Sequence, residues 1–328
     1  MIESGRQMNA HGIEFQLLEA ASGQDDQWDP GSVQVSMNVK LDGCIVPSER
    51  EGARVSFGHA IVLDNMVEDS WRKSILRFLT QGQDIRQPLP ESIWNRRTSD
   101  MVGSRPTWGV EDGVIKALQE GQVPGVAEIQ SRLIKLYPEF DIAFLPSSDI
   151  QDNNSASSDA QSGNNCASIL VNAATIGDEY VYHVDADPTS FPDTSKWAEA
   201  YGDYFNGEPG KPLLVSMILY LNQEWNRDWA ADTLVLDSRS DTGVFVVPRP
   251  GRILLMEQDL IHRMTPPSSR ATGAPRFSVV WKLVFIPKMA LRDPKLTICR
   301  PEWGRPSSIG SAATVDSVMH QLFQKNKA

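Results

Sequence analysis

The stretch RFSVVWKLVF, residues 276–285, is the part of the sequence that decides the fold class. Every second residue from Phe277 to Phe285 is apolar, and a period of two that places such residues on one face is typical of a β-strand. Arg276 and Ser278 share the opposite face. A buried guanidinium needs an anion, so this face predicts a site for an anionic ligand. The simpler alternative is an arginine at a strand end that is bonded to solvent or to a neighbouring aspartate.

Several short runs on either side of this strand have the same β-type composition. They cover residues 167–174, 179–185, 213–221, 233–237, 243–247 and 252–256, and turn residues separate them. Many short strands with few helices between them predict a β-sandwich or a small barrel. The second half of the chain is therefore expected to be mainly β.

Two of the five histidines lie at the ends of these β-type runs. His183 and Asp185 are two residues apart, so on a strand they project to one face. His262, from a distant strand, would complete a set of two histidines and one carboxylate, which is typical of non-haem Fe(II) oxygenases. A His-x-Asp pair alone is more often a hydrogen-bonded histidine than a metal site. The order of the other segments is what favours the metal site.

Five segments together resemble the prolyl-hydroxylase-like Fe(II)/2-oxoglutarate oxygenases. They are YVYHVD (180–185), ILYLNQEW (218–225), WAADTL (229–234), PGRILL (250–255) and His262 followed by RFS (276–278). The resemblance covers residues 167–286 and, more faintly, a strand and helix at 60–80. It implies a double-stranded β-helix, or jelly-roll, core.

The same resemblance implies the roles of the site residues. His183, Asp185 and His262 would bind Fe(II), Arg276 and Ser278 would bind 2-oxoglutarate, and the Tyr220 hydroxyl would assist Arg276. Dioxygen would be the second co-substrate and ascorbate a candidate reductant. One departure is that Ala230-Ala231 stands where many relatives have two glycines, which puts the shape of the substrate pocket in doubt.

The implied activity is hydroxylation of an aliphatic C–H bond with release of succinate and CO2. A small molecule, such as an amino acid or a secondary metabolite, is the expected substrate, because the aromatic-rich insertion 186–212 could cover the site. Those aromatic residues could equally form a satellite core. The alternatives are a prolyl or other protein side-chain hydroxylase, a zinc hydrolase, and a non-catalytic jelly-roll binding protein.

The rest of the chain is divided by composition. Residues 1–146 contain two amphipathic helical patterns, around 67–79 and 126–136, and are expected to be helix-rich. Residues 147–165 are almost entirely polar and predict a flexible loop. The oxygenase core would span 166–290, with 291–328 as a C-terminal extension.

Composition limits the partners and the compartment. The net charge of −11 argues against nucleic acid. No signal-peptide or transmembrane pattern is visible, so a cytoplasmic protein with no membrane partner is expected. The three cysteines, Cys44, Cys166 and Cys299, are widely spaced and predict neither disulfides nor a thiolate metal site. The oligomeric state is not predicted.

Overall fold

The computed structural model describes residues 7–20, 27–43, 57–97, 106–150, 168–178, 180–288 and 297–325. Of the predicted polar loop, residues 147–150 form one helical turn, and residues 151–165 lie outside the described residues. Cys44 and Cys166 also lie outside them. Cys299 is a free, partly buried thiol. Within this part of the chain, no helix is both long and apolar enough to cross a membrane.

The part of the chain before residue 147 contains three helices together with strands. In order they are β1 (Gln7–Ala10), β2 (Ile13–Gln16), β3 (Gln34–Asp42), β4 (Phe57–Asp64), α1 (Asp69–Thr80), β5 (Trp94–Arg97), β6 (Thr107–Val110), α2 (Asp112–Gln119), α3 (Val126–Leu136) and β7 (Phe140–Phe144). Helices α1 and α3 form where the apolar spacing predicts them, and each buries its apolar face. This part was expected to be helix-rich, but it also contributes β3, β4 and β7 to the main sheet.

The second half is mainly β, as its alternating runs predict. Its elements are α4 (Ser147–Ile150), β8 (Ile169–Ala174), α5 (Lys196–Tyr201), β9 (Leu213–Tyr220), β10 (Thr233–Leu236), β11 (Gly243–Val246), β12 (Ile253–Glu257), β13 (Ile261–Met264), β14 (Arg276–Pro287), β15 (Ser307–Ser308) and α6 (Ser311–Lys325). The predicted run 179–185 is an exception, because among its described residues, 180–185, His183 alone makes a β-bridge. The Asp185 amide donates to the carbonyl of Gln258, so the chain leaves the ladder after one pair.

The main sheet is built around β14, the strand that decides the fold class. Its strand order is β15-β3-β4-β12-β9-β14-β7, and β8 also pairs with β14. One edge of β14 pairs with β9. The other edge is shared, because β8 pairs with residues 276–281 and β7 with residues 283–287. Every residue from Arg276 to Phe285 is buried as a result.

A smaller second sheet faces the main one and completes a jelly roll. Its order is β11-β10-β13, and the antiparallel bridge between His183 and His262 extends it past β13. From residue 169 onward the chain passes from β8 in the main sheet to His183 in the second, then to β9 in the main sheet. Strands β10 and β11 follow in the second sheet, and then β12, β13 and β14 alternate between the two. Eight segments wound through two facing sheets are the double-stranded β-helix expected from the sequence.

The core has separate parts on the two faces of the main sheet. Helices α1, α2 and α3 cover the outer face, and a smaller cluster that includes Ile218, Val235 and Val280 fills the space between the sheets. Four aromatic residues of the 186–212 insertion form a third cluster with β2. Its buried aromatic members are Phe15, Phe191, Trp197, Tyr201 and Tyr204. These side chains form a satellite core, so the idea that they cover the site is not supported.

The turn before β10 is strained at Ala230 and Ala231. Ala230 has φ 57° and ψ −138°, and Ala231 has φ 61°. Glycine adopts such angles freely, whereas a residue with a Cβ does so at a cost of about 1–3 kcal/mol. The chain therefore keeps the glycine-type backbone at this turn although it has no glycine there.

We expect Ala230→Gly to raise the free energy of unfolding by about 1 kcal/mol, because relief of the strain exceeds the added entropy of the unfolded chain. Chemical denaturation measures this change. The matched control is Ala117→Gly in α2, where an ordinary helical backbone predicts a loss of about 1 kcal/mol. Equal losses in both variants would show that the turn is not strained.

Candidate metal and anion site

The backbone brings the two histidines of the candidate metal site side by side. The His183 amide donates to the His262 carbonyl at 3.0 Å, and the His262 amide donates back at 2.9 Å. Strand β13, which carries His262, pairs along its other edge with β10. Because directly paired residues project to the same face of a sheet, the two imidazoles lie together, with ring centroids 4.4 Å apart.

The ligand atoms of His183, Asp185 and His262 converge on one point, all within 4.8 Å of one another. The His183 Nε2 lies 4.0 Å from Asp185 Oδ1, and the His262 Nε2 lies 3.8 Å from Oδ2. Each Nδ1 lies 3.0 Å from a backbone carbonyl, that of Val181 or Leu260. Such a bond fixes the tautomer in which Nδ1 carries the proton, and it leaves both Nε2 lone pairs for a metal.

The protonation states of these side chains suit metal binding. Burial, and then the His262 imidazole, lower the pKa of His183 to about 4, so its ring is neutral near pH 7. Burial acts to raise the pKa of Asp185, but the Lys282 ammonium and the two imidazoles outweigh it. The pKa of Asp185 therefore lies below its usual range, and the carboxylate is ionised. Two imidazoles and one carboxylate are a donor set that suits Fe(II).

Both oxygens of the Asp185 carboxylate already have partners within the protein. The Ser216 hydroxyl donates to Oδ2 at 2.5 Å, and Lys282 Nζ lies 3.1 Å from Oδ1. Ser216 and Lys282 face each other across the β9–β14 pair, and both are buried. The carboxylate thus has a hydrogen-bond donor on one oxygen and a cation beside the other.

The second part of the site surrounds Arg276 at the start of β14. Its Nη1 donates to Ser278 Oγ at 3.0 Å, and its Nη2 donates to Thr233 Oγ1 at 3.1 Å. The guanidinium also lies over the Tyr220 ring, 4.7 Å from its centroid. The Tyr220 hydroxyl donates to Thr233 at 2.9 Å. The Arg276 side chain is 3% exposed, and these contacts on several sides fix its position.

Arg276 has no carboxylate partner among the described residues, none of which places a carboxylate oxygen within 4 Å of it. Its buried Nε has no hydrogen-bond acceptor. Burial lowers the pKa of Arg276, as expected for a cation without a counter-ion. A buried, unpaired guanidinium costs several kcal/mol. Its surroundings therefore fit the binding of an anionic group from a ligand.

One cavity of about 80 Å³ joins the two parts of the site. One part of its wall contains the candidate metal ligands His183, Asp185 and His262. Another part contains Arg276, Ser278 and Thr233. Apolar side chains such as Leu170, Ile218 and Val280 line the space between them. Tyr180 also lines it, and its buried hydroxyl has no hydrogen-bond partner among the described residues.

The structure brings together all six residues that the sequence singled out. Tyr220 contacts Arg276 through its ring, and its hydroxyl bonds to Thr233. Four residues of the site were missed by sequence reasoning: Tyr180, Ser216, Thr233 and Lys282. Lys282 could have been found, because the alternation of β14 places it on the inward face with Arg276 and Ser278. Ser216 lies in a run that is otherwise apolar, and nothing in the sequence indicates its contact with Asp185.

The turn that precedes β13 contains a second buried carboxylate, Asp259. It accepts a hydrogen bond from Asn206 Nδ2 at 3.1 Å. Burial, and then the Glu257 carboxylate, raise the pKa of Asp259 from 3.8 to about 8. Between about pH 4 and pH 8, the folded protein therefore keeps a proton on Asp259 that the unfolded chain has already released. The stability associated with this proton is complete below that range and is lost as the pH rises through about 8.

We expect Asp259→Asn to stabilise the metal-free protein at pH 9 and to have little effect at pH 5, because asparagine keeps the bond from Asn206 and carries no charge. The melting temperature at pH 9 should rise by about 5 °C. Thermal denaturation of both proteins at pH 5, 7 and 9 measures this. A difference independent of pH would contradict a raised pKa at Asp259.

Comparison with known proteins finds similarity in structure only. No protein-family model matches the chain, and no curated protein matches it in sequence. A prolyl 4-hydroxylase from Phytophthora capsici aligns with 70% of this chain at 15% identity and a TM-score of 0.36. The match spans 59% of that protein.

Two further solved structures match over more of their own length. A Trichoplax adhaerens prolyl hydroxylase, in complex with a peptide fragment of hypoxia inducible factor, shares 13% identity over 70% of this chain and 84% of its own, with a TM-score of 0.36. SnoN, a non-haem α-ketoglutarate-dependent epimerase from nogalamycin biosynthesis, shares 12% identity over 77% of this chain and 89% of its own, also with a TM-score of 0.36. The assignment of the jelly roll rests on the strand pairing.

Proposed function

We propose that the chain is an Fe(II)- and 2-oxoglutarate-dependent oxygenase that hydroxylates an aliphatic C–H bond of a small molecule. One observation carries the proposal: Arg276, buried and without a carboxylate partner, lies in the same cavity as the convergent His183, Asp185 and His262. A metal site alone fits many enzymes. A separate buried cation that can bind the far carboxylate of a dicarboxylate is what favours 2-oxoglutarate.

Each part of the site has a role in this reaction. His183, Asp185 and His262 would hold the iron, and Arg276 would bind the far carboxylate of 2-oxoglutarate with support from Ser278 and Thr233. Iron with 2-oxoglutarate and dioxygen would supply the oxidising chemistry, and the products would be the hydroxylated substrate, succinate and CO2. The surrounding apolar residues exclude water, and Tyr180 offers a hydroxyl to the bound molecules.

A small-molecule substrate is supported by the cavity and not by the insertion 186–212. The walls of the cavity combine apolar residues with a few polar groups, as the walls of small-ligand sites do. The alternative is hydroxylation of a protein side chain. In its favour, Ile176, Val181 and Tyr182 are exposed close in sequence to Tyr180 and His183 at the cavity.

The zinc-hydrolase alternative lacks support in the cavity. Such an enzyme needs a general base besides the metal ligands. Among the described residues that line the cavity, Asp185 is the one acidic side chain. It belongs to the candidate ligand set, so it is not available as a separate base.

The test is succinate release from 2-oxoglutarate with Fe(II), ascorbate and oxygen. Purified protein is incubated with pools of amino acids and secondary metabolites, and in parallel with a peptide library. Stimulation by a metabolite pool supports the proposal, and stimulation by peptides alone would move the substrate to the alternative class. If no succinate forms, and Zn(II) instead restores a hydrolytic activity, the oxygenase proposal is wrong.

A further inference from the structure

Lys282 is a second buried cation in the cavity and has no role in the function proposed above. Its side chain is 1% exposed. Its Nζ lies 3.1 Å from Asp185 Oδ1, and it lines the cavity together with His183 and His262. Burial of an ammonium group is costly unless a counter-charge compensates it, and Asp185 is that counter-charge. A metal bound by Asp185 would therefore lie close to a positive charge.

The charges of the cavity show what this cation does to each ligand. Among the buried charged side chains of the lining, Asp185 contributes one negative charge, and Lys282 and Arg276 contribute one positive charge each. Arg263, which also lines the cavity, is half-buried, and its guanidinium lies over the Tyr182 ring. A divalent metal adds two positive charges, and Lys282 repels it. 2-Oxoglutarate brings two negative charges, and Lys282 attracts it. Because such interactions are only weakly screened in a buried site, both effects are substantial.

We propose that Lys282 makes retention of the metal depend on the co-substrate. Its ammonium group weakens the binding of the metal alone and strengthens the subsequent binding of 2-oxoglutarate. The two effects nearly cancel in the complex that contains both ligands. The inference rests on the proposed function, since it takes Asp185 as a metal ligand and 2-oxoglutarate as the anion. Its consequence is a site that releases its metal readily when 2-oxoglutarate is scarce.

Ser216 separates this effect of charge from an effect of orientation. Its hydroxyl donates to the other oxygen of the same carboxylate, at 2.5 Å, and it carries no charge. If Lys282 acted only by orienting Asp185, loss of Lys282 and loss of Ser216 would change metal binding in the same direction. If Lys282 acts through its charge, the two losses have opposite signs.

The test measures two affinities under anaerobic conditions. Binding of Fe(II) without co-substrate is measured by competition with a coloured chelator. Binding of 2-oxoglutarate to the iron-loaded protein is measured by the visible charge-transfer band of the chelate. We expect Lys282→Met to bind Fe(II) about tenfold more tightly and 2-oxoglutarate about tenfold more weakly than the wild type. Ser216→Ala should bind Fe(II) several-fold more weakly, with roughly unchanged affinity for 2-oxoglutarate.

Further variants keep the result interpretable. Lys282→Gln retains an N–H donor without the charge, so it should behave as Lys282→Met does. It also provides the test if the methionine variant fails to fold. Lys288→Met removes a partly exposed lysine outside the cavity and should change neither affinity. Both titrations are run at pH 7 and pH 8, because competition by protons at Asp185 would appear as a difference between them.

The outcomes separate this inference from the proposed function. Weaker or unchanged Fe(II) binding in both Lys282 variants would overturn the role of charge. A wild type that forms no charge-transfer band with 2-oxoglutarate would overturn the proposed function itself. A band in the wild type together with unchanged affinities in the variants would refute the role of Lys282 and leave the oxygenase proposal intact.

Discussion

His183→Ala and His262→Ala should each abolish tight Fe(II) binding and turnover together. Each variant removes one of three candidate protein ligands, and the lost Nε2 has no replacement among the described residues, since no other His, Cys, Asp or Glu joins the cluster. A site with one histidine and one carboxylate holds iron weakly. Anaerobic Fe(II) titration and succinate release, measured on the same preparations, check the two effects.

The matched control is His320→Ala. His320 is exposed on α6 and lies outside the cavity, so its loss should affect neither iron binding nor turnover. Melting curves of the metal-free proteins test that the folds are comparable. Full activity in either His183→Ala or His262→Ala would exclude the residue concerned as a ligand.

Arg276→Ala should weaken 2-oxoglutarate binding by on the order of a hundredfold or more, because it removes the one cation that contacts Ser278, Thr233 and Tyr220 at that part of the cavity. Arg276→Lys keeps the charge but loses the planar fork, so it should bind the co-substrate with intermediate affinity. Fe(II) affinity should change little in either variant. Anaerobic titration of the charge-transfer band gives the affinities.

Arg270→Ala serves as the control, since Arg270 is largely exposed and pairs with Asp228 at the surface. Its affinity for 2-oxoglutarate should match that of the wild type. Equal affinity in the wild type and in Arg276→Ala would show that the co-substrate binds elsewhere. An Fe(II) affinity that falls in parallel with that for 2-oxoglutarate would point instead to general damage to the cavity.

The strands of the jelly roll could be predicted because each is a short alternating or apolar run bounded by turn residues. β9, β10, β11, β12 and β14 start and end within two residues of the runs read from the sequence. The prediction of a strand over 179–185 was wrong for its described residues, 180–185, since their composition is β-type but His183 alone pairs there. Whether such a segment continues a ladder depends on a distant acceptor, here the carbonyl of Gln258.

The candidate site was predictable in part, because some of its residues belong to patterns within a single segment of the chain. The pair His183 and Asp185 and the inward face of β14 are local patterns. The neighbours of the site are not local, because Ser216 and Thr233 come from other strands and contact Asp185 and Arg276 only after the sheets form. The aromatic residues of the 186–212 insertion were similarly ambiguous, and packing against β2 decided that they form a satellite core.

The sequence by itself determined the period of each strand, the inward face of β14 and the set of side chains that can bind a metal and an anion. These follow from the geometry of a single extended chain, in which every second residue projects to the same side. Only the tertiary structure decided that His183 and His262 lie side by side and that Lys282 lies against Asp185. It also decided that Arg276 has no carboxylate partner in the part of the chain that the structure describes. Distances and charge pairs between segments far apart in the chain depend on how the two sheets register, and no local pattern contains that information.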